Sequence, residues 1–140
     1  MSNYSDILYL TVAMVVFSIL TINTARSFQF TADTLVRADL EYRATAIAQD
    51  EIDQIRWETD ENKLDPEHDD YLFDSYPQNQ AITYGNENEY SETFKVNGKS
   101  TLIENTSSMK RYKVTITTTS NSIDPKVEVS LEFIKSYMQE

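Results

Sequence analysis

The sequence predicts an α+β protein: a long N-terminal α-helix, its first half apolar and protruding, its second half packed on an antiparallel β-sheet of about four strands. Three observations predict it. Residues 1–65 contain neither glycine nor proline. Within them a charge-free run, Ile7 to Ala25, leads without a breaker into an apolar stripe at helical spacing. Beyond about residue 90 the apolar period falls from three or four to two, which is the alternation of half-buried strands.

The run Ile7–Ile22 is long enough to cross most of a bilayer, whose hydrocarbon core takes about 20 apolar residues. Residues 1–27 are therefore expected to form a membrane-spanning half-helix. Residues 28–140 are expected to form a globular head that opens with an amphipathic half-helix, 28–57. There Phe28, Ala32, Leu35, Val36, Leu40, Ala44, Ile47, Ala48, Ile52 and Ile55 recur in steps of three and four, while Asp33, Arg37, Glu41, Arg43, Asp50, Asp53 and Arg56 take the other face. One helix from Tyr4 to Trp57 would be on the order of 80 Å long, more than a head of this size needs for its own core.

An acidic stretch with Pro66 and Pro77 follows, and it reads as a surface loop over 58–80 because no period is sustained. The sheet is expected over 81–135. Tyr90, Phe94 and Val96 lead to Asn97-Gly98 and on to Lys99–Ile103, and an Asn-Gly pair between such runs predicts a hairpin turn. Tyr112, Val114, Ile116 and Thr118 alternate with polar residues, as do Val127, Val129, Leu131 and Phe133. Thr119–Pro125 has the composition of the turn between these two strands.

Composition narrows the function. The 140 residues leave room for one small domain after the helix, and the formal net charge of −11, with a pI near 4.4, argues against a nucleic-acid partner. With no cysteine, disulfides, thiolate metal sites and cysteine nucleophiles are excluded. The two glycines, Gly85 and Gly98, cannot form a phosphate-binding or dinucleotide-binding loop, and no nucleophile motif or zinc spacing is present, so no enzyme is expected. Met1–Asp6 lacks the Lys or Arg of a secretory signal peptide.

Asp6 is the sharpest candidate for a function, because an ionised carboxylate beside apolar residues must stay at a headgroup level or find a cation. The plainer role is that of an acid favouring the helix dipole. Thr11, Ser18, Thr21 and Asn23 could bond across helices, although hydroxyls returned to their own helix backbone are the simpler expectation. Asp65, Asp69, Asp70 and Asp74 offer oxygen ligands for calcium, but without Asp-x-Asp-x-Asp-Gly spacing, and a solvated acidic face explains them too. His68, the only histidine, has no partner motif. Tyr71, Tyr76, Tyr84 and Tyr90 serve either as subunit contacts or in sheet packing.

This layout, together with the Ala-rich segment Tyr42–Trp57, resembles type IV pilins and type II secretion pseudopilins. If Met1 is removed, Asp6 takes the fifth position, that of the family's glutamate. The resemblance implies a single-pass precursor in the inner or cytoplasmic membrane that becomes a structural subunit of an extracellular, cell-surface filament. Its assembly face would comprise Asp6, Ile7, Leu8, Leu10, Ala13, Met14, Val16, Phe17 and Leu20, with Asp6 attracting the free amine of a neighbour. Its partners would be other copies of itself, minor pilins and a membrane assembly machine; no cofactor is expected apart from the loop calcium that some pseudopilins carry. The alternative is a membrane-anchored extracytoplasmic binding or accessory domain that never polymerises.

Overall fold

The computed structural model describes residues 3–84 and 90–139. One helix, α1, runs Asn3–Arg56, 54 residues without interruption. Two short 3-10 turns follow, Glu61–Leu64 and Leu72–Ser75. Four strands complete the chain: β1 Gln78–Tyr84, β2 Tyr90–Asn105, β3 Met109–Ser120 and β4 Val127–Met138. They form one antiparallel meander in the order β1-β2-β3-β4. The fold is α+β, as the two sequence periods predict. The chain divides into two compact units, Met1–Ala38 and Asp39–Glu140, and α1 contributes to both.

The second unit holds the core. From α1 it buries Leu40, Ala44, Ile47, Ala48, Ile52 and Ile55, and from the sheet Phe94, Val96, Tyr112, Val114, Ile116 and Val127. Even-numbered residues of β2 and β3 and odd-numbered residues of β4 face this core, and the odd-numbered residues of β2 and β3 face away, so the strands keep the alternation of a sheet covered on one side. The expected phases of β3 and β4 hold. So does the turn between them, which occupies residues 121–126.

The hairpin at Asn97-Gly98 is not formed. β2 passes straight through it, with Asn97 opposite Thr117 and Gly98 opposite Ile116. A two-residue turn there would set Val96 opposite Lys99 and aim Lys99 at the core, whereas the continuous strand keeps Phe94, Val96 and Ser100 inside and Lys99 outside. Gly98 is needed for a different reason: a Cβ at that position would lie 2.3 Å from both Cδ1 and Cε1 of Phe73. The chain reverses instead after Asn105, where Thr106 N–H donates to the Met109 carbonyl at 2.9 Å. A bulge between Leu102 and Glu104 precedes that turn.

The expected loop is also more structured than its composition suggests. Leu64 and Phe73 are buried in the core, and β1 begins at Gln78, inside the stretch read as loop. Ser100 ties the segment down: its N–H donates to the Tyr71 hydroxyl at 2.9 Å and its own hydroxyl donates to the Leu64 carbonyl. Phe73 packs edge-on between Tyr71 and Tyr76, at ring separations of 5.6 and 5.3 Å. Four strands are found where about four were expected, but only because β1 replaces the strand boundary lost at Asn97-Gly98.

Candidate assembly surface

The first unit is helix alone. A continuous series of backbone hydrogen bonds satisfies the main chain, and the hydroxyls follow suit: Thr11 donates to the Ile7 carbonyl, Ser18 to Met14, Thr21 to Phe17 and Thr24 to Leu20, all at 2.8 to 2.9 Å. Each of these Thr and Ser hydroxyls is returned to its own turn and so presents no unpaired donor to the surroundings. This is the simpler of the two expectations for Thr11, Ser18 and Thr21.

Every apolar residue expected on the assembly face is exposed within the single chain. Ile7, Leu8, Leu10, Met14, Val16, Phe17 and Leu20 are each at least half exposed, and Ala13 is exposed beside them. The segment is long and apolar enough to cross a membrane, and none of it is buried by the rest of the molecule. Asp6 is exposed in the first turn of α1, where the peptide dipole favours a negative charge. Met1 and Ser2 lie outside the described residues.

The exposed apolar surface also extends past residue 27. Phe28 is 72% exposed, Phe30 75%, Leu35 66% and Val36 49%, although the helical spacing predicts Phe28, Leu35 and Val36 as part of the head's spine. Burial starts at Leu40. The inner face of the sheet is filled by Leu40–Ile55 together with Leu64 and Phe73 from the following segment, so the upstream part of the stripe has no place in that core. Periodicity located the stripe but not the point at which its covering ends.

In the second unit, Glu51 occupies a core-facing position on α1, between Ala48 and Ile55. Its carboxylate accepts from the Tyr76 hydroxyl at 2.7 Å and from Gln80 Nε2 at 2.5 Å. Burial, then the hydrogen bond and charge of Glu51, raise the Tyr76 pKa well above that of an ordinary phenol. Glu92, buried on β2, accepts from Ser120 Oγ at 2.6 Å and from the Ser122 hydroxyl. At the end of α1, Lys135 Nζ donates to the Arg56 carbonyl, and the Tyr137 hydroxyl donates to the Glu58 carbonyl at 3.3 Å. The first caps a carbonyl that the helix leaves open, and the second ties down the chain two residues beyond its end. Burial, followed by the nearby Glu58 and Asp60 charges, raises the Tyr137 pKa to about 12; burial with Asp65 and Glu61 nearby does the same for Tyr112.

The acidic segment is spent mainly on local order. Asp60 accepts from the Asn62 N–H at 3.0 Å and Asp65 from the Glu67 N–H at 3.1 Å, while Lys63 holds Glu58 at 2.8 Å and Lys110 holds Glu61 at 3.1 Å. The Lys63 hydrogen bond, with support from the Asp60 N–H, keeps the Glu58 pKa below its ordinary value. Among the described residues no three metal-ligating side chains converge, so the structure does not gather Asp65, Asp69, Asp70 and Asp74 into a calcium site. His68 Nδ1 accepts from the Asp70 N–H at 3.2 Å. Of the four tyrosines, Tyr71 and Tyr76 pack within the head, whereas Tyr84 and Tyr90 stack on each other at 5.6 Å with Arg43 4.4 Å above Tyr84.

No family model, curated protein or solved structure matches this chain. The architecture itself, a long apolar N-terminal helix packed on a four-stranded antiparallel sheet, is pilin-like.

Proposed function

We propose that this chain is a structural subunit of a type IV pilus-like or pseudopilus-like filament, polymerising through its hydrophobic N-terminal helix after storage in a membrane. The observation that carries the reading is the extent of bare apolar helix. Lipid can cover about 20 residues, which Ile7–Ala25 already supplies. Phe28, Phe30, Leu35 and Val36 lie beyond that span, among Arg26, Asp33 and Arg37, and are still uncovered. Fully burying one such side chain is worth about 1.5–3 kcal/mol. A simple lipid anchor leaves these residues in water, whereas a bundle of sister helices covers them as well as the lipid-facing run.

The mechanism is exchange of lipid for protein around the same helix. With the Thr and Ser hydroxyls of that run bonded to their own turns, the exchange neither breaks nor leaves unmade those hydrogen bonds, so close packing decides it, and Ala13 and Ser18 permit close approach. Asp6 gives the exchange a register: it is tolerated at the membrane surface and stabilised in the bundle by a cation on a neighbour, the free amine in the family resemblance. The carboxylates of the head keep the polymer hydrated.

The test is fractionation of cells carrying the wild-type chain or Asp6→Ala. The wild type is expected in the sheared cell-surface fraction, and Asp6→Ala is expected to stay in the membrane with that fraction depleted. A wild-type chain found solely as a membrane monomer would instead identify a non-polymerising accessory domain.

A further inference from the structure

The outer face of the sheet runs against the charge of the whole molecule. It carries Lys95 and Lys99 on β2 and Lys113 on β3, in a chain of net charge −11. Lys113 is held by Glu132 at 2.8 Å, and the Glu128 carboxylate is held by Lys126 at 2.6 Å. Lys99 lies across Thr115 from the Glu132 that Lys113 already occupies, and Lys95 faces Thr119, so neither makes an ion pair among the described residues. Around Lys95 the face is hollowed by a depression of about 420 Å³, lined by Asn79, Ser91, Thr93, Thr119 and Asn121. Glu92 and Ser122 also line it, and the Glu92 carboxylate is already engaged by Ser120 and Ser122. What remains is a concave set of donors around an unpaired ammonium, suited to a carboxylate.

The matching carboxylates are on the other side of the same sheet. The segment bearing Glu67, Asp69 and Asp74 is fastened to the inner face through Phe73 against Gly98 and through Ser100. All three are exposed and make no ion pair among the described residues. Because the sheet separates them from Lys95 and Lys99, they cannot meet these lysines within one chain. Two different complementary patches on opposite sides of one body make a heterologous contact, which repeats from copy to copy instead of closing on itself.

We infer that the Lys95–Lys99 face of one head receives the Glu67–Asp74 segment of a second copy, giving the filament a head-to-tail electrostatic contact in addition to its helix bundle. The inference rests on the filament reading and is tested so that the two can fail separately. The natural absence of cysteine permits a clean cross-link with every charge retained: His68→Cys and Asn97→Cys together in the full chain, both positions being exposed. Mild oxidation of the membrane-assembled protein should give a ladder of disulfide-linked multimers, and each single-cysteine variant no more than a dimer. The ladder should fade in 1 M salt, where the Debye length falls to about 3 Å. Adding Lys95→Glu and Lys99→Glu should reduce it at least roughly tenfold, and adding Glu67→Lys and Asp69→Lys to that variant should restore it. Filaments without a ladder overturn the contact and leave the filament reading intact. A ladder without filaments upholds the contact and overturns the filament reading; neither product overturns both.

Discussion

Gly98→Ala probes the least expected feature of the head, a glycine in mid-strand that serves packing rather than a turn. The added Cβ would lie 2.3 Å from two atoms of the Phe73 ring and 3.2 Å from Ile116 Cδ1. Phe73 is only 5% exposed and is flanked by Tyr71 and Tyr76, so the ring cannot move aside without disturbing its neighbours. Overpacking of this kind costs about 1–3 kcal/mol, and full loss of a buried Phe about 3–5 kcal/mol. Replacing a strand glycine returns about 0.5–1 kcal/mol of backbone entropy. The expected net loss is about 2 kcal/mol, or roughly a 10 °C fall in the melting midpoint for a head of this size. Near-ultraviolet circular dichroism of the full chain in mild detergent reads it. In a Phe73→Ala background the same substitution should become neutral or slightly stabilising, because the clash has gone. An equal cost in both backgrounds, or no cost in the wild type, would refute the assignment of Gly98 to Phe73.

Further expectations follow from the same core. Glu51→Ala strands the Tyr76 hydroxyl and Gln80 Nε2 and should cost about 1–3 kcal/mol, with Glu51→Gln milder because one acceptor oxygen remains; thermal melts of both variants check this. Tyrosines whose folded pKa is raised stabilise the head in full below their unfolded value near pH 10, and that contribution is lost as pH rises through about 12, the folded value of Tyr112 and Tyr137. An ultraviolet titration should therefore show a late-ionising group of tyrosines, and ionisation of all nine at ordinary pH while the head stays folded would contradict it. Adding calcium or a chelator should leave the melting midpoint unchanged, since Asp65, Asp69, Asp70 and Asp74 do not converge on one ion.

Much of this fold can be read from the chain because two periods dominate it. The helix was expected to end near Trp57 and ends at Arg56, and the inward residues of β3 and β4 are those the alternation names. β1 is less legible: as a sheet-edge strand it turns only Gln80 and Ile82 inward, too little to mark a period. Asn97-Gly98 misleads because the turn signal is local, whereas the demand for glycine comes from Phe73, distant in sequence. The parity of Val96, Ser100 and Lys99 carried the contrary signal. Glu51 could also have been found, since it falls on the apolar stripe with Ala44, Ile47, Ala48 and Ile55. The stopping point of burial near Leu40 was not legible, because nothing in the spacing of Phe28–Val36 distinguishes a residue covered by its own sheet from one left for a neighbour.

Helical reconstruction by electron cryomicroscopy of material sheared from the cell surface tests the central claim most directly. The account predicts filaments of this chain, with Ile7–Val36 of successive copies packed against one another along the axis. A chain recovered solely as a membrane monomer, or filaments in which this segment remains solvent-exposed, would contradict it.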